Sequence, residues 1–112
     1  MHVLFVHQNY PAQFGHFARR LVRDHGFECT FVSLHDPGVE DGVRLLQYRP
    51  VGGAHAKSHH SSRSFENAVS HCHGVYEACR AHPEVRPDLV VGHSGFGSTL
   101  FLRELYLSLI HI

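Results

Sequence analysis

Cysteine is too scarce and too poorly spaced to staple this chain together. The three residues, Cys29, Cys72 and Cys79, are odd in number and form no Cys-x-x-Cys pair, which excludes a disulfide framework and leaves them as reduced core residues. Long apolar runs are missing too. No window approaches the roughly 18 consecutive apolar residues of a membrane helix, and Val3 to Val6 is too short, and lacks the basic flank, for a secretory signal. The chain therefore reads as cytoplasmic, with no evident membrane association. Charge of one sign is absent: ten basic residues cancel ten acidic ones. That balance excludes the one-signed surface on which nucleic-acid binding depends, and it points to small or neutral partners. No Gly-x-Gly-x-x-Gly follows the first apolar run, which counts against a dinucleotide site.

What is present is enough for one packed domain: 112 residues, of which 43% are hydrophobic. Thirteen histidines are unusual for this length and make net charge sensitive to acidity between about pH 5 and 8. His2 to His7 is a nearly continuous apolar run, as in a strand buried on both faces of a parallel sheet. Phe14, Phe17, Ala18, Leu21 and Val22 then repeat with helical spacing, with Pro11 near the start of that helix and Gly26 just past its end. Glu28 to Leu34 and Val43 to Tyr48 read as two more strands. Their link is short for a helical crossover, which leaves the direction of the third strand open. Arg49 to Arg63 has no hydrophobic period and reads as an exposed loop. Phe65, Ala68, Val69, Cys72, Val75, Tyr76 and Cys79 restore helical spacing until Pro83 ends it. Leu89 to Val91 is a short apolar strand, followed by a glycine-rich turn and a helical pattern from Ser98 toward Tyr106. This order predicts an α/β class: a Rossmann-like, mostly parallel sheet with helices on both faces.

Right-handed crossovers put the loops after the first and the Leu89 strands at one edge of such a sheet, where open α/β folds bind ligands. The first loop offers the amides of Gln8, Asn9 and Gln13 together with Tyr10, neutral donors and acceptors suited to hydroxyl-rich or phosphate ligands, although such residues also serve ordinary turns. In the second, His93 and Ser94 sit among Gly92, Gly95 and Gly97, with Phe96 between the last two; glycines there let backbone N–H groups approach an anion. Gly92-His93-Ser94-Gly95-Phe96 approaches the hydrolase nucleophile elbow, but Phe96 stands where that motif needs glycine. His71, Cys72, His73 and Cys79 do not make a metal site, because adjacent helical positions diverge by about 100°. No metal and no cofactor are expected.

The stretch Met1 to Phe17, with His7-Gln8-Asn9-Tyr10-Pro11-Ala12-Gln13-Phe14 at its centre, resembles the opening of bacterial family 4 glycosyltransferase N-terminal domains. Gly42 to Arg44 through Tyr48 to Pro50, Phe65 to Val69, and Arg86 to His93 with Gly95 to Gly97 resemble later pieces of the same domain in the same order. Ala12 and Ser94 depart from a frequent glycine and a frequent proline. The resemblance covers about residues 1–106 and implies the acceptor-side lobe of a two-lobed GT-B enzyme that moves a sugar from a nucleotide-sugar donor to a glycan, lipid or small-molecule acceptor, with the retention of configuration that is the family's habit. By that analogy Gln8, Asn9, Tyr10 and Gln13 contact substrate, Ser94, Gly95, Phe96 and Gly97 join them, and His93 is the catalytic candidate.

No two glutamates lie eight positions apart, so the family's Glu-x7-Glu motif is expected in a separate C-terminal donor-binding lobe, and this chain alone is expected to be inactive. Residues 107–112 read as a non-native tail. The competing expectation is a non-enzymatic Rossmann-like module that binds a nucleotide or a sugar.

Overall fold

The computed structural model describes residues 1–52, 59–92, 101–102, 105–106 and 110–111. In chain order the elements are β1 His2–Val6, α1 Ala12–His25, β2 Glu28–Ser33, β3 Gly38–Glu40, β4 Val43–Gln47, α2 Arg63–Arg80, β5 Leu89–Gly92 and β6 Ile110–His111. They form one six-stranded sheet in the order β3-β4-β2-β1-β5-β6. All neighbours run parallel except the edge pair β3 and β4.

The pleat explains why β1 is apolar along its whole length. Val3 and Phe5 join a cluster with Phe31, Val43 and Leu45, against which Phe14, Leu21 and Val22 of α1 pack. Leu4 and Val6 point the other way, into a cluster with Val32, Leu46, Val75 and Cys79 that includes the buried side of α2. One helix therefore covers each face, and alternate residues of a strand serve different cores. α1 ends at Gly26, whose φ of 66° is the left-handed conformation that glycine adopts without Cβ strain, and its N–H bonds to the carbonyl of Val22.

The third strand, whose direction the sequence leaves open, is parallel to β2, with Phe31 opposite Leu45 and Ser33 opposite Gln47. No helix makes the return. The chain instead runs back through β3, which pairs antiparallel with β4 at the sheet edge, and turns at Asp41 and Gly42, both with positive φ. Within the segment 107–112, Ile110 and His111 pair with Leu89 and Val90. The helical pattern expected from Ser98 to Tyr106 falls mostly outside the described residues.

Arg44 of β4 reaches Glu84, beyond α2, at 2.7 Å. The hydrogen bond from Arg44, helped by the Glu84 backbone N–H and by His82, draws the Glu84 carboxyl from its ordinary value of 4.5 to about 2. A carboxylate with a depressed folded-state value stabilises the fold above the unfolded value, and that contribution is lost as pH falls toward 2. Both side chains are half exposed, so the effect is small. Glu84→Gln should flatten the decline of melting temperature between pH 4.5 and 2 relative to the parent chain. Parallel declines for the two proteins would show that the pair contributes nothing.

Candidate functional site

The strand order reverses around β1: β2 and then β4 lie on one side, β5 and β6 on the other. This is the topological switch point at which open α/β sheets form their ligand crevice beyond the strand carboxyl ends. Val6 is level with Gly92 and with Val32, so β1, β2 and β5 end at the same rim. The loop after β1 emerges there, and Gly92 is the residue immediately before His93. His93, Ser94, Gly95, Phe96 and Gly97 themselves lie outside the described residues.

On the β2 side of the rim, Gln8, Asn9, Tyr10, Leu34 and His35 line an open cleft of about 260 Å³. Its backbone is fixed from within. The Leu34 N–H donates to the Gln8 carbonyl at 2.9 Å, and the His7 N–H to the Val32 carbonyl at 3.1 Å, extending the β1–β2 pairing into the loops. The Asn9 N–H donates to Nδ1 of buried His7 at 3.0 Å, which requires a lone pair on that nitrogen.

Tyr10 takes a different part from the one its sequence position suggests. It is 8% exposed, and its ring meets Phe31 edge-on at 4.8 Å and His35 at 5.7 Å. Its hydroxyl is turned toward Arg19 of α1, whose Nε donates to it at 3.4 Å. The same guanidinium sits 5.6 Å from the ring centroid and reaches Glu40 at 3.4 Å and Asp41 at 3.1 Å. The Tyr10 hydrogen bond, followed by the fields of Asp41 and Glu40, raises the Arg19 pKa above its ordinary value. Tyr10 is thus a held aromatic wall, and the polar groups facing outward belong to half-buried Gln8 and exposed Asn9. Gln13 is exposed on the first turn of α1 and is not part of the cleft lining.

The structure adds residues that the sequence pattern did not single out. His35, two residues beyond β2, lines the cleft, with its Nδ1 3.0 Å from the Asp36 carbonyl. Its only sequence signal was adjacency to a strand end. Tyr48, the residue after β4, is buried at the same rim, and burial pushes its phenol up to about 12. Its protonated hydroxyl lies at hydrogen-bond distance, 2.7 Å, from Nδ1 of His71 on α2. Of the histidine and cysteine group on α2, Cys72 and Cys79 face the core while His73 is exposed, and burial pushes the Cys79 thiol up to about 11. Such a thiol stays protonated and unreactive at neutral pH. Among the described residues, no helix is long and apolar enough to cross a membrane.

Comparison with known families matches residues 25–111 to the glycosyl transferase family 4 group, a span that contains β2 through β6 and the 93–97 segment. No curated protein matches the chain. Among solved structures it is similar to the crystal structure of CalG4, the calicheamicin glycosyltransferase, with a TM-score of 0.48 and 16% identity, over 94% of this chain and 30% of that one.

Proposed function

Because the chain belongs to the glycosyl transferase family 4 group, we propose that it forms the acceptor-side lobe of an enzyme that moves a sugar from a nucleotide-sugar donor to a glycan, lipid or small-molecule acceptor. The donor-binding lobe lies outside these residues. The observation that carries this reading is the register of Val6 with Gly92, which delivers the ends of β1 and β5 to the two sides of the switch-point crevice. In this reading Gln8, Asn9 and Tyr10 form the acceptor wall, and Gln13 borders it. The 93–97 segment, with His93, Ser94, Gly95, Phe96 and Gly97, approaches the reacting sugar from the β5 side, and the anomeric configuration is retained.

Sugar transfer depends on placing donor and acceptor together and on stabilising charge at the leaving diphosphate. One wall of a crevice does neither alone, so the chain by itself should show no transfer. Family membership favours this reading over a binding module without chemistry. The test is His93→Ala in the two-lobed enzyme: turnover should fall about tenfold or more, while the melting temperature changes little. His93→Gln serves as the isosteric control. Unchanged turnover in both variants would remove His93 from the reaction, and an equal loss of fold and activity would make it a structural residue.

A further inference from the structure

The cleft between the ends of β1 and β2 holds information about what it can bind, beyond the assignment of the lobe. Protein sites bind anions with cationic side chains or with free backbone N–H groups, and the lining has no lysine or arginine and three of its five backbone amides already engaged. None of the five lining residues is a lysine or arginine. Arg19, which contacts the lining residue Tyr10, is directed into Tyr10, Glu40 and Asp41. Of the lining backbone amides, Asn9 is bonded to His7, Leu34 to the Gln8 carbonyl and His35 to the Ser33 hydroxyl at 3.1 Å.

What remains suits an uncharged polyol. The Gln8 and Asn9 side chains can each donate and accept, as sugar hydroxyls require, while Tyr10 and Leu34 supply apolar wall for C–H groups. His35 adds directionality. Its Nδ1 faces the Asp36 carbonyl, which can only accept, so Nδ1 carries a proton, and in the tautomer this selects Nε2 holds the lone pair. That lone pair accepts from a hydroxyl and repels a phosphate oxygen. The cleft, about 260 Å³, lies below the usual range for drug-sized ligands and is scaled to a single ring.

We propose that this cleft is a subsite for one uncharged sugar ring, and that His35 is the residue selecting a hydroxyl over a phosphate there. The proposal rests on the glycosyltransferase reading but concerns only this subsite. The experiment is an NMR titration of the 15N-labelled chain with methyl α-D-glucopyranoside, with glucose 6-phosphate, and with inorganic phosphate as control. The neutral glycoside should shift the amide signals of Asn9, Tyr10, Leu34 and His35, and glucose 6-phosphate should bind about tenfold more weakly. His35→Ala should weaken glycoside binding about fivefold, and His35→Gln, which keeps an acceptor, should restore most of it. Equal or tighter binding of glucose 6-phosphate, shifts elsewhere, no shifts, or an indifferent His35→Ala would each overturn the proposal. If any of these occurs while His93→Ala still lowers transfer in the two-lobed enzyme, the subsite is wrong and the transferase reading stands. If His93→Ala also leaves transfer intact, the placement of the reaction at this rim falls with it.

Discussion

Gly74→Val should lower the stability of the chain by about 3 kcal/mol, read as a shift in the midpoint of chemical denaturation. Gly74 is buried on α2 where the helix crosses the chain leaving β4, and a Cβ built there overlaps the Arg49 carbonyl oxygen and comes within 3.0 Å of the Tyr48 ring. The opposing backbone has little room to yield. The Val51 N–H is bonded to the Ser70 carbonyl at 3.0 Å, and Tyr48 is tied to both Ser33 and His71. Intrinsic helix preference works in the opposite direction, since valine is a better helix residue than glycine by a few tenths of a kcal/mol. A loss must therefore come from the crossing itself. Gly74→Ala should lose less, because its helical gain of up to about 1 kcal/mol offsets part of the overlap. An unchanged midpoint for the valine variant would mean that α2 does not lie against Tyr48 and Arg49.

Phe5→Ala is expected to cost more, about 4 kcal/mol, a large part of the margin of a typical domain. Phe5 is fully buried at the centre of β1, with ring centroids of Phe14 at 5.9 Å, Phe17 at 6.2 Å and Phe31 at 6.1 Å. Removing its ring opens a cavity between the sheet and α1 that neighbouring strands cannot collapse into, because their spacing is set by hydrogen bonds. Phe65→Ala is the control. That residue is 70% exposed on α2 and its loss should change stability by no more than about 0.5 kcal/mol. Equal effects of the two substitutions would contradict the assignment of Phe5 to the α1 core.

Strong patterns in the sequence located the strands and helices that bury the most surface. The unbroken apolar run of β1 announced a strand with two covered faces, and the spacing of Phe65 through Cys79 announced α2, because deep burial leaves a periodic trace. β3 left none. Gly38, Val39 and Glu40 are all exposed, so no alternation marks them. Without β3, the parallel return into β4 had no visible route, and its direction stayed open. At the site, adjacency to strand ends was legible and side-chain direction was not. Tyr10 looked like an outward hydrogen-bonding group because the partner that turns its hydroxyl inward, Arg19, lies nine positions later on α1, and the acids that hold Arg19 belong to the unannounced hairpin. His35 was hidden for a related reason: it sits beside the turn residues Asp36, Pro37 and Gly38, whose chemistry masks a neighbour that faces a cleft.

The Arg19 contacts reach further than their modest strength implies. The guanidinium joins helix, edge hairpin and cleft-lining ring in a single chain of touching groups, which links Glu40 and Asp41 to the Tyr10 ring although neither lines the cleft. Altering two acids on a solvent-facing turn would therefore loosen one wall of the cleft while leaving every side chain that lines it as it was.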